Sequence, residues 1–428
     1  MNRLSAEVDA GLTTPPFFWK RATSSGGNSS HCARWNRNDL LATVTGLAIA
    51  LLPALVSPVL AQRPNGVPRP LALSLETEVG WDSNVRFGVP GDPGDEVRHL
   101  RGGLTKLART ARSELAVALR ADVLTHRTVK ELDAFTYHLE SDGLRRVSPR
   151  VSVHARAGAQ SRTSSDVEIG QDVGDGVVPV TSRIPLLPRS RSRTEEGGMS
   201  ASLELSPRMS ALLDASYTHT SFDSPLLVGG SAATVAALVR RRATPLDVAI
   251  ATLDVHRVRL GREAVLLRTA AGAWTHDASA FVSSLALGAT YVTPDSARWS
   301  TLAPVASAKL SSRPGRGGEL VAEYRRAVSQ AFGLGAILSV DEVSAVYRRP
   351  FDAGLHFQVG VDRSWSTDLP DRRLRLSSSQ LAASLERSLP SGWTVGARVN
   401  RRRRDDLITV DGAQLSIFAR FDSSERGR

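Results

Sequence analysis

The sequence predicts an all-β protein, a transmembrane antiparallel up-and-down β-barrel of about 18 strands. Three observations predict it. Apolar and polar residues alternate with a period of two from Leu71 to Phe421, each alternation lasts nine to twelve residues, and tight turns alternate with longer polar stretches. Soluble strands usually span about 5–6 residues, whereas a tilted strand that crosses a bilayer needs about 9–11. The length of the alternations therefore favours a membrane barrel over a soluble sandwich.

The alternation separates two faces in each segment. In the first segment Leu73 and Leu75 lie on one face, while Glu76 and Glu78 lie on the other. In a membrane barrel the apolar face contacts lipid and the polar face lines the lumen. The clearest segments are 71–81, 113–123, 150–160, 353–364, 393–402 and 413–421.

The turns set the strand number. Proline-containing tight turns lie within 145–153, 203–212, 347–355 and 386–395, and longer polar stretches lie at 163–195, 221–232, 366–373 and 403–411. The evident strands number 17, but bacterial outer-membrane barrels have an even number. If 233–242 is also a strand, closed by the turn at 243–247, the number becomes 18 and every proline turn falls at one end. The sequence therefore favours 18 strands, with 16 as the fallback.

The N-terminal region has the pattern of an export signal. Residues 40–61 contain no charged side chain, Arg34 and Arg37 precede them, and small residues end the segment. This pattern predicts a secretory signal peptide within 1–61, cleaved between Ala61 and Gln62. A single membrane anchor is the alternative, because 22 uncharged residues are long enough to span. Residues 62–428 are then expected to form one barrel domain, which has no cysteine because Cys32 is the only one in the chain.

The chain is basic, with 54 Lys and Arg against 43 Asp and Glu and a formal net charge of +11. Its arginines are scattered, and the one run, 401–404, is followed at once by Asp405 and Asp406. Nucleic-acid binding needs clustered positive charge. The sequence therefore predicts no nucleic-acid partner.

No motif of a catalytic, nucleotide or metal site occurs in the chain, and the histidines are spread singly. We therefore expect no enzyme activity and no cofactor. The acidic stretch 164–178 contains Asp166, Glu168, Asp172 and Asp175. Its spacing matches no calcium-binding loop, so a solvated loop is the favoured interpretation.

The polar faces of the strands carry charges of both signs. Such walls create a transverse field across a water-filled pore, and an excess of arginine biases the pore towards anions. Alternatively the charges pair and stiffen the wall, and both can hold. The candidate pore-lining residues are Arg120, Arg150, Arg156, Arg398, Arg402, Arg420, Glu76, Glu78, Glu114, Asp122, Glu204 and Asp362.

The stretch GWDSNV at 80–85 resembles the G-[aromatic]-D-S-N-V signature of outer-membrane β-barrel porins of Gram-negative bacteria. That group includes porin-like barrels associated with exopolysaccharide export. The resemblance implies an outer-membrane channel, for passive passage of solutes or for export of a polymer such as exopolysaccharide. The implied partners are outer-membrane lipid and lipopolysaccharide, the barrel-assembly machinery and polysaccharide-export components. Two features depart from the family: seven residues follow Phe421, and aromatic residues make up only 5% of the chain.

Two other functions stay open. One is a barrel without transport, acting as a structural anchor or surface receptor, and the other is a soluble periplasmic all-β binding protein. Residues 82–84, Asp-Ser-Asn, are interpreted as the turn that ends the first strand, because such side chains bond their own backbone. A ligand site there is the less favoured alternative.

Overall fold

The described residues form one closed sheet of 18 antiparallel strands, numbered β1–β18 in chain order. Each strand pairs with its neighbours in the chain, and β1 also pairs with β18, which closes the ring. The predicted fold class and the predicted number of strands are therefore confirmed. This computed structural model describes residues 71–83, 94–168, 183–296, 299–312, 318–351, 354–369, 374–389, 392–405 and 410–423.

The strands are β1 Ala72–Asp82, β2 Asp95–Arg109, β3 Ser113–His126, β4 Ala134–Ser148, β5 Val151–Glu168, β6 Arg183–Ser206, β7 Met209–Phe222, β8 Gly230–Arg242, β9 Asp247–Leu260, β10 Glu263–Asp277, β11 Phe281–Pro294, β12 Thr301–Ser312, β13 Glu319–Ala331, β14 Ala336–Pro350, β15 Leu355–Asp368, β16 Arg375–Ser388, β17 Trp393–Asp405 and β18 Val410–Asp422. Most are longer than the nine to twelve residues of the sequence alternation.

β8 is the strand that brings the number of strands to 18. It runs from Gly230 to Arg242 and is followed by a short turn before β9 begins at Asp247. The turns around Pro149, Pro207 and Pro350 each join an even-numbered strand to the next odd one. They therefore lie at one end of the barrel, here called the short-turn end. The opposite end is called the long-loop end.

The barrel is apolar outside and polar inside, the reverse of a soluble protein. Leu75 on β1 lies opposite Phe421 on β18, and the adjacent pair, Glu76 and Arg420, points to the other side. Leu75 is 45% exposed and Ile417 is 70% exposed, whereas charged groups such as Glu78 are buried on the inner face. This polarity suits a sheet whose outer face contacts lipid.

One predicted loop is much shorter than expected. Residues 163–195 read as a polar loop, but β5 continues to Glu168 and β6 already begins at Arg183. Polar residues beyond the apolar band can still pair as a hairpin, because the backbone ladder does not depend on side-chain polarity. Asp172, Asp175, the segment 40–61 and the cleavage position at Ala61 and Gln62 lie outside the described residues.

The connection from β3 to β4 is compact. Its backbone N–H groups at Thr128 and Val129 donate to the carboxylate of Asp95, at 2.9 Å for the nearer oxygen in each case. A 3-10 turn, Lys130–Leu132, follows and buries Leu132. Among the described residues, no helix is long and apolar enough to cross a membrane.

Candidate functional site: the inner wall and its mouth

An arginine lies between two glutamates on the inner wall where the ring closes. Arg101 Nη1 on β2 donates to Glu76 Oε1 at 2.6 Å and to Glu78 Oε2 at 3.1 Å. Arg398 Nη1 on β17 approaches the same two oxygens, at 3.3 and 3.5 Å. Charge-assisted hydrogen bonds of this kind are stronger than neutral ones. Two positive and two negative charges therefore largely neutralise each other in this part of the wall.

The same network joins the first strand to the last. The Ser416 hydroxyl on β18 donates to Glu78 Oε1 at 2.5 Å, and the Arg398 guanidinium lies 4.0 Å from the ring centre of Phe418. The pairing of β1 with β18 is here called the seam. The two strands are close at Gly80, where a Cβ would lie 2.5 Å from the Leu415 carbonyl oxygen. The close approach of β1 and β18 thus requires glycine at this position of the GWDSNV motif.

The end of that motif also serves the seam. Ser83 N–H donates to the Ala413 carbonyl at 2.9 Å, and Ala413 N–H donates to Ser83 Oγ at 2.8 Å. The side chain of Trp81 is 54% exposed on the outer face. These contacts extend the pairing of β1 with β18 to the rim. Asn84 lies outside the described residues.

Further ion pairs continue around this side of the wall. Arg101 Nε lies 3.5 Å from Asp122 on β3, and Arg420 Nη2 lies 3.8 Å from Glu386 on β16. Arg156 Nη2 on β5 lies 3.8 Å from Asp214 on β7. Of the six arginines that the sequence suggested as a source of positive potential, Arg156, Arg398 and Arg420 therefore have a carboxylate beside them.

Three inward carboxylates have no such partner. Glu140, Asp142 and Glu196 lie on the inner faces of β4 and β6, with Glu140 and Glu196 on opposite sides of Gly158. Within the described ranges, none of the three forms an ion pair with an arginine or lysine. Two of them lie beside imidazoles: His138 is 3.4 Å from Glu140, and His154 is 2.6 Å from Asp142. Imidazole carries no permanent charge, so these three carboxylates add negative charge to this part of the wall, which also contains Arg120 and Arg156.

The wall opposite the seam is made of small, uncharged residues. Inward positions of β10 and β11 alternate alanine, glycine and threonine, and Thr269 and Thr290 share a hydrogen bond of 2.9 Å between their hydroxyls. Ala271 pairs with Gly288, where a Cβ would meet Ala271 Cβ at 2.6 Å. The described wall is therefore asymmetric, charged on one side and neutral on the other.

The hairpin of β13 and β14 leaves the wall near the long-loop end. The two strands pair along all of β13, from Glu319 to Ala331. Pairing of β13 with β12 stops at Ala306 and Arg326, although β12 continues to Thr301. We call residues 327–338 the mouth hairpin. Its upper part keeps its own ladder but has lost its neighbour β12.

The mouth hairpin packs against the inside of the barrel. Phe332 and Ile337 form an apolar cluster with Val258, Leu267 and Val292, which lie on the inner faces of β9, β10 and β11. All five are at most 7% exposed. The hairpin therefore covers part of the lumen at the long-loop end, in front of strands β9–β12.

A backbone bridge fixes the tip of the mouth hairpin to the β7–β8 loop. Val228 N–H donates to the Gly333 carbonyl at 3.0 Å, and Gly333 N–H donates to the Val228 carbonyl at 2.7 Å. Gly335 has a φ of 66° and approaches Val228 so closely that a Cβ would lie 3.0 Å from its side chain. At Gly230 a Cβ would lie 2.7 Å from the Phe332 ring. Glycines therefore permit the close contact.

The pore-lining residues predicted from the sequence do not form a single site. Arg120, Arg156, Arg398, Arg402, Arg420, Glu76, Glu114, Asp122, Glu204 and Asp362 share the inner-facing register of their strands. Arg150 lies outside the strands, in the turn between β4 and β5, where its backbone N–H donates to Ser148 Oγ. Its carbonyl accepts from the Glu204 N–H at 2.8 Å, and its assignment to the wall stays a prediction. In the described ranges, no three His, Cys, Asp or Glu side chains form a metal-binding group.

The mouth hairpin was missed by the sequence analysis. Two signals point to it: Pro304 stands inside a strand, where proline usually marks a lost ladder partner, and FGLG at 332–335 contains Gly333 and Gly335, both with positive φ. Neither signal says where the hairpin packs.

Comparison with known proteins gives structural likeness only. No protein-family model matches the chain, and no curated protein matches it in sequence. Acinetobacter baumannii OccAB4 is 9% identical, with 84% of this chain and 100% of that chain covered and a TM-score of 0.46. Pseudomonas aeruginosa OccK2 (OpdF) is 12% identical, with 84% and 100% covered and a TM-score of 0.47. Pseudomonas aeruginosa OpdO is 13% identical, with 82% and 96% covered and a TM-score of 0.45. At such values, the function has to be argued from the geometry of this barrel itself.

Proposed function

We propose that this protein is an outer-membrane channel through which small solutes diffuse passively. The observation that carries the proposal is the closed ring of 18 strands with an apolar outer face and a charged inner face. A sheet closed into a ring pairs its backbone groups between neighbouring strands, as lipid requires, and here the exception is the stretch 301–305 of β12. Barrels of 16–18 strands leave an aqueous channel.

The inner charges support a water-filled lumen. Arg101 and Arg398 are about a third exposed and Glu140 is half exposed on the inner face. Isolated charges in a dry interior are very costly, whereas water in the lumen solvates them. The neutral wall of β10 and β11 offers few groups that would hold a passing ion or polar solute.

A conduit for a secreted polymer is a weaker proposal. A polysaccharide chain needs a wide, continuous bore, but the mouth hairpin covers part of the lumen at the long-loop end and its Phe332 is buried there. Small solutes can pass beside the hairpin along the charged wall of β17, β18 and β1–β5. The geometry therefore favours small solutes over exopolysaccharide.

The proposed location implies particular surroundings. The apolar belt would contact outer-membrane lipid, the loops at the long-loop end would meet lipopolysaccharide, and assembly would use the barrel-assembly machinery. Export would depend on the signal within 1–61, with cleavage between Ala61 and Gln62. Association with polysaccharide-export components belongs to the polymer alternative.

Two measurements test the proposal. Membrane fractions are run on SDS gels with and without heating, and the purified protein is then inserted into planar lipid bilayers. We expect heat-dependent migration in the outer-membrane fraction and stepwise conductance. A soluble periplasmic species would contradict the membrane barrel. A correctly folded barrel without conductance steps would instead indicate a structural or receptor role.

A further inference from the structure

We propose that the mouth hairpin is a two-state gate, which either bends inward across the lumen or pairs with β12 as part of the wall. The structure has the inward state. In the second state the upper half of β13 would continue the ladder with β12, and the mouth in front of β9–β12 would be open. The inference rests on the proposed channel function and concerns how that channel is regulated.

The first observation is the incomplete wall between β12 and β13. Their pairing covers only residues 306–311 of β12 and 321–326 of β13, while residues 301–305 keep β11 as their partner. In the part of the chain that the structure describes, residues 301–305 have no partner on the β13 side. This side of β12 is therefore a free edge.

The free edge lies at the level of the apolar belt. On the outer face of neighbouring β11, the belt extends from Phe281 to Tyr291, and Tyr291 pairs with Leu302 on β12. That is the length a tilted strand needs to cross a bilayer, about 9–11 residues. Unpaired backbone exposed to lipid is strongly unfavourable. The free edge thus opposes the inward state and favours a state in which β12 is paired.

The register of the existing ladder extends directly into the second state. Continuing from the pair Ala306 and Arg326 would bring Pro304 opposite Val328 on the outer face and Ala303 opposite Ser329 on the inner face. In this pairing Pro304 and Val328 are apolar and Ala303 and Ser329 are small, as the belt requires, whereas the next outward residues, Arg326 and Gln330, are polar. Pro304 lacks an N–H, so one ladder bond would be missing. The extended ladder is therefore compatible with the sequence but weaker than a regular one.

The inward state is stabilised by packing at the tip. Val328 packs against the apolar cluster that contains Phe332 and Ile337, and the bridge of Val228 with Gly333 supplies two backbone hydrogen bonds. These contacts would be lost when the hairpin joins the wall, but Val328 and Ile337 would then face lipid, which does not penalise apolar side chains. Each state therefore gains contacts that the other lacks, which is the condition for a bistable element.

The hairpin can move as a unit because its own ladder is continuous. β13 pairs with β14 without a register shift from Glu319 to Ala331, and β14 stays paired with β15 as far as Leu338. The point of divergence is marked by Tyr324, whose hydroxyl donates to Asp341 Oδ1 at 2.9 Å. Next to the pairing of β14 with β15, Leu369 N–H donates to the Ile337 carbonyl at 2.9 Å. The motion is therefore a swing of residues 327–336 about β14, which keeps its pairing with β15.

A disulfide tests the second state. In full-length protein with Cys32→Ser, cysteines are introduced as Pro304→Cys with Val328→Cys, which become direct neighbours only if the ladder extends. A disulfide needs Cα atoms about 4.4–6.8 Å apart. The matched control is Leu310→Cys with Ala322→Cys, an outward pair that is already in register in this structure. Disulfide formation in native membranes is read by protection from a maleimide that changes gel mobility.

The two pairs should behave differently in conductance. We expect both disulfides to form under mild oxidation, with single-channel conductance rising only in the Pro304/Val328 variant and returning to its starting value on reduction. Failure of that pair to form a disulfide, while the control pair does, would overturn the gate. So would a disulfide that leaves conductance unchanged. If the unmodified protein gives no conductance, the channel function itself fails, and the thiol readout still reports whether the hairpin moves.

Discussion

Glu78 on the first strand and Ser416 on the last are joined by a hydrogen bond of 2.5 Å, although 338 positions separate them in the chain. Glu78 is only 5% exposed and also accepts from Arg101 and Arg398. This one carboxylate thus connects β1, β2, β17 and β18. Its hydrogen bonds therefore stabilise the closure of the ring from the lumen side.

Removing this carboxylate should weaken the barrel. Glu78→Leu leaves Arg101 and Arg398 with fewer acceptors and Ser416 without one. Loss of a buried hydrogen-bonding partner costs about 1–3 kcal/mol, so we expect the temperature of heat-dependent gel migration to fall. Glu140→Leu is the control, because Glu140 is half exposed and, among the described residues, pairs with His138 only. Equal losses in the two variants would contradict a closing role for Glu78.

The glycine of the GWDSNV motif should be intolerant of a methyl group. In Gly80→Ala the new Cβ would lie 2.5 Å from the Leu415 carbonyl oxygen and 2.6 Å from Ser416 Cβ. Overpacking of this kind costs about 1–3 kcal/mol. Gly272→Ala is the matched control, since nothing lies within 4 Å of its added Cβ. Urea unfolding in lipid vesicles should therefore separate the two, and identical midpoints would exclude a close-packed seam.

Truncating the aromatic ring at the mouth should open the channel. Phe332→Ala removes the side chain that packs on Gly230 and anchors the mouth hairpin. The lost packing is about 3 kcal/mol for a buried phenylalanine, so the inward state should be less populated and single-channel conductance higher. Phe351→Ala, in an exposed turn at the other end, should leave conductance unchanged. A Phe332→Ala barrel that folds normally but conducts like the parent would rule out obstruction by the hairpin.

The charge preference should be weakly cationic. The arginine-rich composition led to the expectation of anion preference, but Arg101, Arg156, Arg398 and Arg420 have carboxylates beside them. The reversal potential in a KCl gradient measures this preference. We expect it to lie on the cation side.

Glu140 and Glu196, which form no ion pair with an arginine or lysine among the described residues, should carry that preference. The double variant Glu140→Gln with Glu196→Gln should move the reversal potential towards anions, because two negative charges leave the wall. Glu96→Gln serves as the control, since Glu96 lies on the outer-facing register opposite Trp81. An unshifted potential in the double variant would mean that ions do not pass along this wall.

The architecture could be predicted from local pattern. Alternation with a period of two reports only which side of a strand each residue faces, and that is enough to identify Leu75 as outward and Glu76 as inward. Parity of the turns then required a strand at 233–242, which is β8. The predicted bounds of the strands were less accurate than their number, as at β5 and β6, because a backbone ladder can continue through polar sequence.

The charge network and the mouth depend on contacts between distant segments. No local rule says that Ser416 meets Glu78, that Arg101 lies between two glutamates, or that no arginine of the described residues pairs with Glu140. The position of residues 327–338 is the clearest example of such a contact, because their alternation fits a strand of the wall as well as it fits the inward hairpin. The sequence by itself determined the class, the polarity and the strand number of this barrel, since these follow from neighbours one and two positions apart. Only the tertiary structure decided which charges are neutralised and where the lumen is covered, because ring closure and hairpin packing join residues that are far apart in the chain.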